Sequence, residues 1–258
     1  MGRSRARGLA GLVMFAAMLR AWPTDGTARR AYADAVFRRV APRYDLLTRL
    51  LSFGSDRRWK DELVGLLPTP RAGGRILDLA TGTGELPLAA RRAGRKETIV
   101  ALDRSQAMLG RARAKGLGAR DEGVVFVVGD LNQLPVAEGA FDAVLMGYGL
   151  RYPMDLKATL VSIRKSLRPG GVFLSLDFGL PENAWYRRFC LAYLLAAGTL
   201  WGALLHGRPG TYWHIVESLR AYPGQRALLA MLEEAGFARV LAADRLGGIA
   251  VIAMGERA

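Results

Sequence analysis

Residues 75–85 read RILDLATGTGE, and the fold class follows from this segment more than from any other. Its first half is a short aliphatic run, which is typical of a buried strand. Its second half is a turn in which Gly82 and Gly84 stand two positions apart. Glycine lets the backbone bend tightly and approach a ligand where a Cβ would collide. A strand, a glycine turn and a helical pattern predict the first βα unit of an open sheet.

Strand-like and helical patterns alternate along the rest of the chain. Helical patterns at residues 105–115 and 154–167 separate strand-like runs, so these strands are expected to pair in parallel through right-handed crossovers. After a helical pattern at 225–235, two runs at 239–243 and 248–254 are joined by only four residues, which predicts an antiparallel hairpin. The five earlier strand-like runs are residues 75–80, 97–103, 124–129, 141–146 and 172–178.

These patterns predict one α/β domain over residues 27–258, with a doubly wound, seven-stranded, mostly parallel sheet. Short helices at residues 28–67 are expected to form an N-terminal cap, and a helical insertion at about 181–222 a lid. Residues 1–26 form a separate leader, with three arginines before an apolar run at 9–19 that is too short to span a bilayer. A signal peptide, a transit peptide, an interfacial helix or an upstream start codon would each fit it.

The glycine turn is one of three polar features that follow strand ends, where such sheets bind ligands. A dinucleotide site would place a third glycine at position 87, where this chain has Pro87. Asp103 closes the second strand, where a carboxylate accepts both hydroxyls of a ribose. Asp130 and Leu131 follow the third strand, where an acid accepts from an adenine amine and a leucine packs on the ring. Together with Asp78, Gly82 and Gly84 of the turn, these residues favour S-adenosylmethionine (SAM) and a Rossmann-like methyltransferase sheet.

Further motifs resemble the ubiquinone/menaquinone biosynthesis C-methyltransferase family over about residues 36–254. The segments at residues 40–60 and 149–151 are much more specific than the glycine turn, since a generic methyltransferase has no reason to contain them. The motifs are VAPRYD at 40–45, SFG at 52–54, WK at 59–60, GLR at 149–151, LRPGG at 167–171, ESL at 217–219 and GGIA at 247–250.

The resemblance implies methylation of a ring carbon of a polyprenylated benzoquinol or naphthoquinol in respiratory quinone biosynthesis. The sequence departs from the family's pattern at an acceptor-side position and in one further segment. Tyr152 stands where the family has Asn after Arg151, and Tyr212-Trp213-His214 replaces a Tyr-x-Tyr segment. No metal site is predicted. The SAM contacts map to Thr83, Asp103, Asp130, Leu131 and Gly147, and the acceptor-side residues to Tyr44 and Arg151.

The chemistry of methyl transfer to carbon agrees with these assignments. The acceptor carbon must be made electron-rich by an adjacent phenolate, and positioning in a cavity without water lowers the barrier. A cation that stabilises the phenolate lowers it further. Arg151 suits that task but is a poor base, because the pKa of arginine exceeds about 12. His214 is a candidate proton relay, and a packed or surface histidine is the alternative interpretation.

The formal net charge of +14 indicates an anionic partner or a generally basic surface. The excess is mostly arginine scattered along the chain, which favours a membrane surface over nucleic acid, for which no basic-aromatic cluster is found. The single Cys190 excludes an internal disulfide and fits a reducing compartment. A cytoplasmic enzyme peripheral to the inner face of the membrane is therefore expected. The sequence leaves open whether the enzyme forms a homodimer or joins a quinone-synthesis complex.

Residues 189–205 contain no charge and would form a helix of about 26 Å, slightly short of a bilayer core. Because they lie between strands of one sheet, a lid over the acceptor cavity that touches the membrane surface is expected. A buried core helix is the alternative.

The sequence is compatible with three other functions. One is SAM-dependent methylation of a different lipophilic acceptor, such as a phenolic natural product or a phospholipid amine. Another is a non-catalytic SAM-binding subunit of a quinone-synthesis complex. RNA methylation, the third, would explain the charge but lacks an RNA-binding appendage.

Overall fold

The computed structural model describes residues 25–118 and 123–258. The leader expected at residues 1–26 therefore lies almost wholly outside the described residues. Seven strands form one sheet in the order β3-β2-β1-β4-β5-β7-β6, which confirms the predicted fold class. The strands are β1 (Arg75–Leu79), β2 (Thr98–Asp103), β3 (Val124–Val128), β4 (Phe141–Gly147), β5 (Leu167–Phe178), β6 (Phe237–Arg245) and β7 (Ala250–Arg257).

The central strands of the sheet are buried on both faces, which explains their unbroken aliphatic sequences. β1 pairs in parallel with β2 on one side and with β4 on the other. Nearly every residue of β1 and β4 is buried, as expected of parallel strands covered on both faces. Because the strand order reverses between β1 and β4, a crevice opens beyond their carboxyl ends, where open sheets bind ligands.

The terminal hairpin is present, and β7 is its antiparallel member. β7 pairs antiparallel with both β5 and β6, so β6 runs in the direction of the first five strands. A short 3-10 turn at Leu246–Gly248 joins β6 and β7, so residue 248 belongs to the connection and not to the last strand. β5 starts earlier than predicted, since Leu167 already pairs with Phe141 before a register shift.

Helices cover both faces of the sheet and the crevice. Three of them precede β1, and two more lie between β5 and α9, in the regions where short cap helices and a lid insertion are predicted. The helices are α1 (Gly26–Val40), α2 (Tyr44–Leu51), α3 (Asp56–Gly65), α4 (Glu85–Arg92), α5 (Gln106–Ala114), α6 (Leu156–Ser166), α7 (Ala184–His206), α8 (Trp213–Ala221) and α9 (Gln225–Glu234).

Helix α7 is longer than the uncharged run in the sequence suggests. The Asn183 side chain caps its start by accepting from the backbone N–H groups of Trp185 and Tyr186, and Gly207, at φ +63°, ends it. Its 23 residues make it, among the described helices, the one long and apolar enough to cross a membrane. At 1.5 Å per residue it measures about 34 Å, so the predicted length of about 26 Å was too short. It nevertheless connects strands of one sheet, and Gly198 lies against Tyr212.

Candidate active site

A cavity with about 850 Å³ of empty space, part of it open to solvent, lies beyond the carboxyl ends of β1, β2, β3 and β4. Helix α1 roofs it with Arg30, Ala33, Asp34 and Phe37. The structure therefore brings together residues from four separate strand ends under one helix. The predicted cofactor residues on its walls are Gly82, Asp103, Asp130, Leu131 and Gly147.

Asp103 shapes the glycine turn from the end of β2. Its Oδ2 accepts from the Gly82 backbone N–H at 2.8 Å, and its Oδ1 accepts from the Ser105 N–H at 2.7 Å. Burial raises the pKa of Asp103, against the lowering effect of these backbone hydrogen bonds. A carboxylate oxygen has two lone pairs, so each oxygen can accept a further hydrogen bond from a ligand in the cavity.

Asp130 is paired with a cation that the sequence did not reveal. Its side chain forms an ion pair with Arg30 of α1, and its Oδ1 also accepts from the backbone and side-chain nitrogens of Asn132. Burial acts to raise the pKa of Asp130, but the Asn132 hydrogen bonds and the charges of Arg30 and Arg104 lower it. A second ion pair, between Arg104 and Asp34, also holds α1 over the cavity.

Asp78 is buried at the base of a smaller cavity with about 350 Å³ of empty space. Its Oδ2 accepts from the Thr81 hydroxyl at 2.5 Å, whereas its Oδ1 is, within the described residues, the one buried side-chain oxygen or nitrogen without a hydrogen-bond partner. Burial raises the pKa of this carboxyl to about 7. An unpartnered buried acid fits a cationic ligand group, such as the ammonium of a bound amino acid moiety.

Two other residues of the glycine turn, Thr83 and Gly84, are each explained by a local contact. The Thr83 hydroxyl donates to Asp45, which ties α2 to the glycine turn, and Thr83 also lines the smaller cavity. Gly84 adopts φ +79°, and a Cβ there would lie 2.5 Å from Leu117 Cδ1. Gly84 is therefore glycine for packing reasons as well as for its backbone conformation.

A second cavity, with about 380 Å³ of empty space, adjoins the first. The two share Phe37, Tyr44, Tyr148 and Tyr152 as walls, so a molecule in one lies next to a molecule in the other. Most of the lining is aromatic or aliphatic, which suits a hydrophobic ligand. Arg151, His214 and Thr48 are the polar exceptions.

Arg151 is held firmly on the wall of this second cavity. Its Nε donates to Asp177 Oδ1 at 2.8 Å, and its Nη1 donates to the Ser218 hydroxyl at 2.6 Å. The guanidinium lies 5.4 Å from the Tyr152 ring centre and 5.6 Å from that of Phe178. Burial acts to lower the pKa of Arg151, but Asp177, Tyr152 and Tyr44 together raise it above its ordinary value, so the group stays cationic.

Tyr44 lies half-buried among aromatic and charged groups at the junction of the cavities. Burial raises the pKa of Tyr44 well above its ordinary value, so its hydroxyl stays protonated. Its ring meets that of Phe37 edge-on, with centres 6.2 Å apart. The structure thus places both predicted acceptor-side residues, Tyr44 and Arg151, on one cavity.

His214 also faces this cavity. Its Nδ1 lies 3.1 Å from the Thr211 carbonyl oxygen, which makes Nδ1 the protonated nitrogen of the neutral ring. Burial and the charge of Arg151 lower the pKa of His214 to about 4, so at neutral pH its Nε2 is a hydrogen-bond acceptor and a weak base. Phe37 contacts both His214 and Tyr152 edge-on, at 6.2 Å and 5.1 Å between ring centres. The two segments that depart from the family pattern therefore both pack against Phe37.

Sequence reasoning missed a buried polar trio beside this junction. The Tyr148 hydroxyl donates to Asp56 Oδ1 at 2.8 Å, and Lys60 Nζ lies 2.6 Å from Asp56 Oδ2. Tyr148 lines all three cavities and has φ +58°, an uncommon backbone conformation for a side chain of this size. The signals in the sequence were the Trp59-Lys60 motif and the position of Tyr148 directly after β4.

The fold and the paired cavities define a SAM-dependent methyltransferase. The chain belongs to the ubiE/COQ5 methyltransferase family, whose profile matches residues 26–257. It is 39% identical over 222 residues to the demethylmenaquinone methyltransferase of Thermus thermophilus, covering 86% of this chain and all of that protein.

A second relative supports this assignment, and a solved structure shares the fold. The ubiquinone/menaquinone biosynthesis C-methyltransferase UbiE of Rubrivivax gelatinosus is 37% identical over 234 residues, covering 91% of this chain and 90% of that protein. A solved SAM-dependent methyltransferase of Thermotoga maritima, described as a possible histamine N-methyltransferase, shares the fold at 17% identity. Its TM-score is 0.59, and the match covers 87% of this chain and 99% of that chain.

Proposed function

We propose that this enzyme transfers the methyl group of SAM to a ring carbon of a prenylated quinol, either a demethylmenaquinol or a ubiquinol precursor. The observation that carries the proposal is the aromatic cavity that contains Arg151 and shares a wall with the cofactor cavity. Relatives named for this reaction on ubiquinone and menaquinone precursors support it. The test is an assay with reduced demethylmenaquinone and the matching benzoquinol, with the methyl group located by mass spectrometry. Methyl found on oxygen would overturn the proposal.

The geometry of the first and third cavities supports the proposed cofactor residues. Asp103 would accept hydrogen bonds from the ribose hydroxyls. Leu131 and Asp130 would bind the adenine. Arg30 would then either leave Asp130 or keep its ion pair while Asp130 also contacts the adenine. Asp78 and Thr83, with the backbone at Gly82, Gly84 and Gly147, would surround the amino acid end. Bound SAM supplies an electrophilic methyl group on a sulfonium.

We assign α1–α3 as the cap and α7–α8 as the lid over these cavities.

On the acceptor side, Arg151 would stabilise negative charge that develops on the ring oxygen beside the reacting carbon. Its position is fixed by Asp177 and Ser218 before the substrate binds, and preorganised charge of this kind lowers barriers most effectively. Tyr44 would form a wall that orients the ring towards the cofactor. A neutral His214 would accept a hydrogen bond from the ring hydroxyl. The aromatic walls would exclude water from the developing phenolate.

The Tyr152→Asn substitution is expected to improve activity on a standard demethylquinol. Tyr152 fills space between Phe37 and Arg151, so the smaller amide would enlarge the acceptor cavity and restore the pattern that the family resemblance implies. The measurement is kcat/KM for a menaquinol and a benzoquinol precursor in both proteins. Tyr152→Phe is the control, because it removes the hydroxyl but keeps the ring. Equal or lower activity of Tyr152→Asn on both substrates would show that Tyr152 does not encode an altered acceptor.

We further propose that the enzyme is cytoplasmic and associates with the inner face of the membrane peripherally. The net charge of +14 supports attraction to anionic lipids, to which each nearby arginine contributes about 1 kcal/mol. Because salt screens this attraction, flotation with anionic vesicles is expected to succeed at low ionic strength and to fail at high ionic strength. Release that required detergent would indicate an inserted segment, and the apolar run at residues 9–19 would then be examined first.

A further inference from the structure

The outer face of α7 is exposed and, apart from Arg188 near its start, apolar. Trp185, Phe189 and Leu204 have 78%, 67% and 66% of their surface accessible, and Leu200 has 53%. These positions share one side of the helix, because four-residue steps nearly complete a turn. Ala192 and Ala196, also exposed, continue the same side between them. A contiguous apolar surface of this kind on a protein of mixed composition marks an interaction site.

Phe53 extends this face from the loop after α2. It is 68% exposed, and its ring stacks on Tyr193 of α7 with centres 4.9 Å apart and planes 21° apart. Its φ of +52° is unfavourable for a bulky residue. Residues held in such conformations cluster at functional sites, which supports a role for this aromatic ring outside the protein core.

Basic groups lie at both ends of the apolar face. At the start of α7, the guanidinium of Arg188 lies 5.3 Å from the ring centre of Trp185. At its end, the exposed Arg208 follows Gly207, and burial and the charges of Arg43 and Arg39 lower the pKa of His206. Helix α7 itself contains no acidic residue. An exposed apolar face flanked by cations can gain both from burial of apolar area in a membrane surface and from attraction to anionic lipids.

The inner side of the same helix packs on two residues that line the acceptor cavity. The Tyr193 hydroxyl lies 3.4 Å from the carbonyl oxygen of Leu51, and Gly198 lies against Tyr212. Leu51 and Tyr212 both line the cavity that contains Arg151. One layer of side chains therefore separates the apolar outer face from the place where a lipophilic acceptor would react.

We infer that the outer face of α7, with Phe53, is the surface that docks on a lipid bilayer containing anionic lipid, and that the acceptor enters from there. This inference rests on the proposed function for the identity of the acceptor, but the docking itself does not. A second copy of the chain is the competing occupant. Two such helices packed antiparallel would bring Arg188 of one towards Arg39 and Arg43 of the other, so like charges would oppose that contact, whereas anionic lipid headgroups complement both ends.

The test is flotation of the full-length protein with vesicles of phosphatidylcholine and phosphatidylglycerol. Leu200→Glu and Leu204→Glu should each lower the vesicle-binding constant by about tenfold to a hundredfold, since burying an apolar side chain contributes on that scale and a carboxylate also repels the lipid. Leu241→Glu is the matched control, because Leu241 is 60% exposed on strand β6, away from α7. That variant should bind vesicles as the unmodified protein does.

Two further measurements separate the possible outcomes. Methylation of a short-chain, water-soluble quinol should be unchanged in the α7 variants, while methylation of a long-chain quinol embedded in vesicles should fall with binding. If no quinol is methylated by any protein but flotation still depends on Leu200 and Leu204, the proposed function fails and the docking surface stands. Unchanged flotation, or a loss of dimer in light scattering with vesicle binding intact, would overturn the docking surface.

Discussion

Arg151→Ala is expected to lower kcat by about 10² to 10³ while the affinity for SAM stays near that of the unmodified enzyme. The guanidinium lies on the acceptor cavity, so its loss removes a charge that acts on the developing phenolate and not on the cofactor. The measurement is turnover of reduced demethylmenaquinone together with SAM binding by calorimetry. Full activity in this variant would contradict the proposed mechanism and leave the cofactor assignment intact.

The control must account for the structural role of the same side chain. Removing Arg151 leaves Asp177 buried without its cation, which typically costs about 3 to 5 kcal/mol of folding free energy. Ser218→Ala removes the Nη1 hydrogen bond and keeps the charge, so it should reduce kcat much less. Arg151→Lys keeps a charge but loses the fork that reaches both partners. If kcat tracks thermal stability across all three variants, the role of Arg151 is structural only.

The sheet could be predicted from sequence because its signals are local. The buried aliphatic runs, the glycine turn and the four-residue connection between the last two strands each lie within a few residues of one another. The same holds for Asp103 and Asp130, which were located by their position after strands, and the first cavity brings both together. Ends of elements were less certain, as the early start of β5 at Leu167 shows, since pairing with a distant strand decides it.

The roof of the cofactor cavity could not be predicted in this way. The ion pair between Asp34 and Arg104 joins residues 70 positions apart, and no local pattern links them. Asp56 and Lys60 have the spacing of an ordinary surface pair on a helix, yet both are buried because Tyr148 and the neighbouring helices cover them. Burial, and not spacing, makes this trio part of the site, and burial is a property of the tertiary structure.

The other large effect is expected at the cofactor. Asp103→Ala should weaken SAM binding by about 1.5 to 3 kcal/mol, or roughly ten- to a hundredfold, the scale of hydrogen bonds to a charged group. Two losses combine in this variant: the acceptor for the ribose hydroxyls and the anchor of the Gly82 N–H in the glycine turn. Titration calorimetry with SAM and with its demethylated product measures the effect, and NAD should not bind to either protein.

A graded pair of variants separates the two losses. Asp103→Asn keeps one oxygen that can accept from the Gly82 N–H, so it should bind SAM with an affinity between those of Asp103→Ala and the unmodified protein. Ser105→Ala removes the hydroxyl that accepts from the Met108 N–H at 3.4 Å and keeps the backbone N–H that donates to Asp103, so it should weaken SAM binding much less than Asp103→Ala, although Ser105 lines the same cavity. If Ser105→Ala weakens binding as much as Asp103→Ala, the effect comes from the loop and not from the carboxylate. Unchanged affinity in Asp103→Ala would instead mean that the ribose lies elsewhere in the cavity.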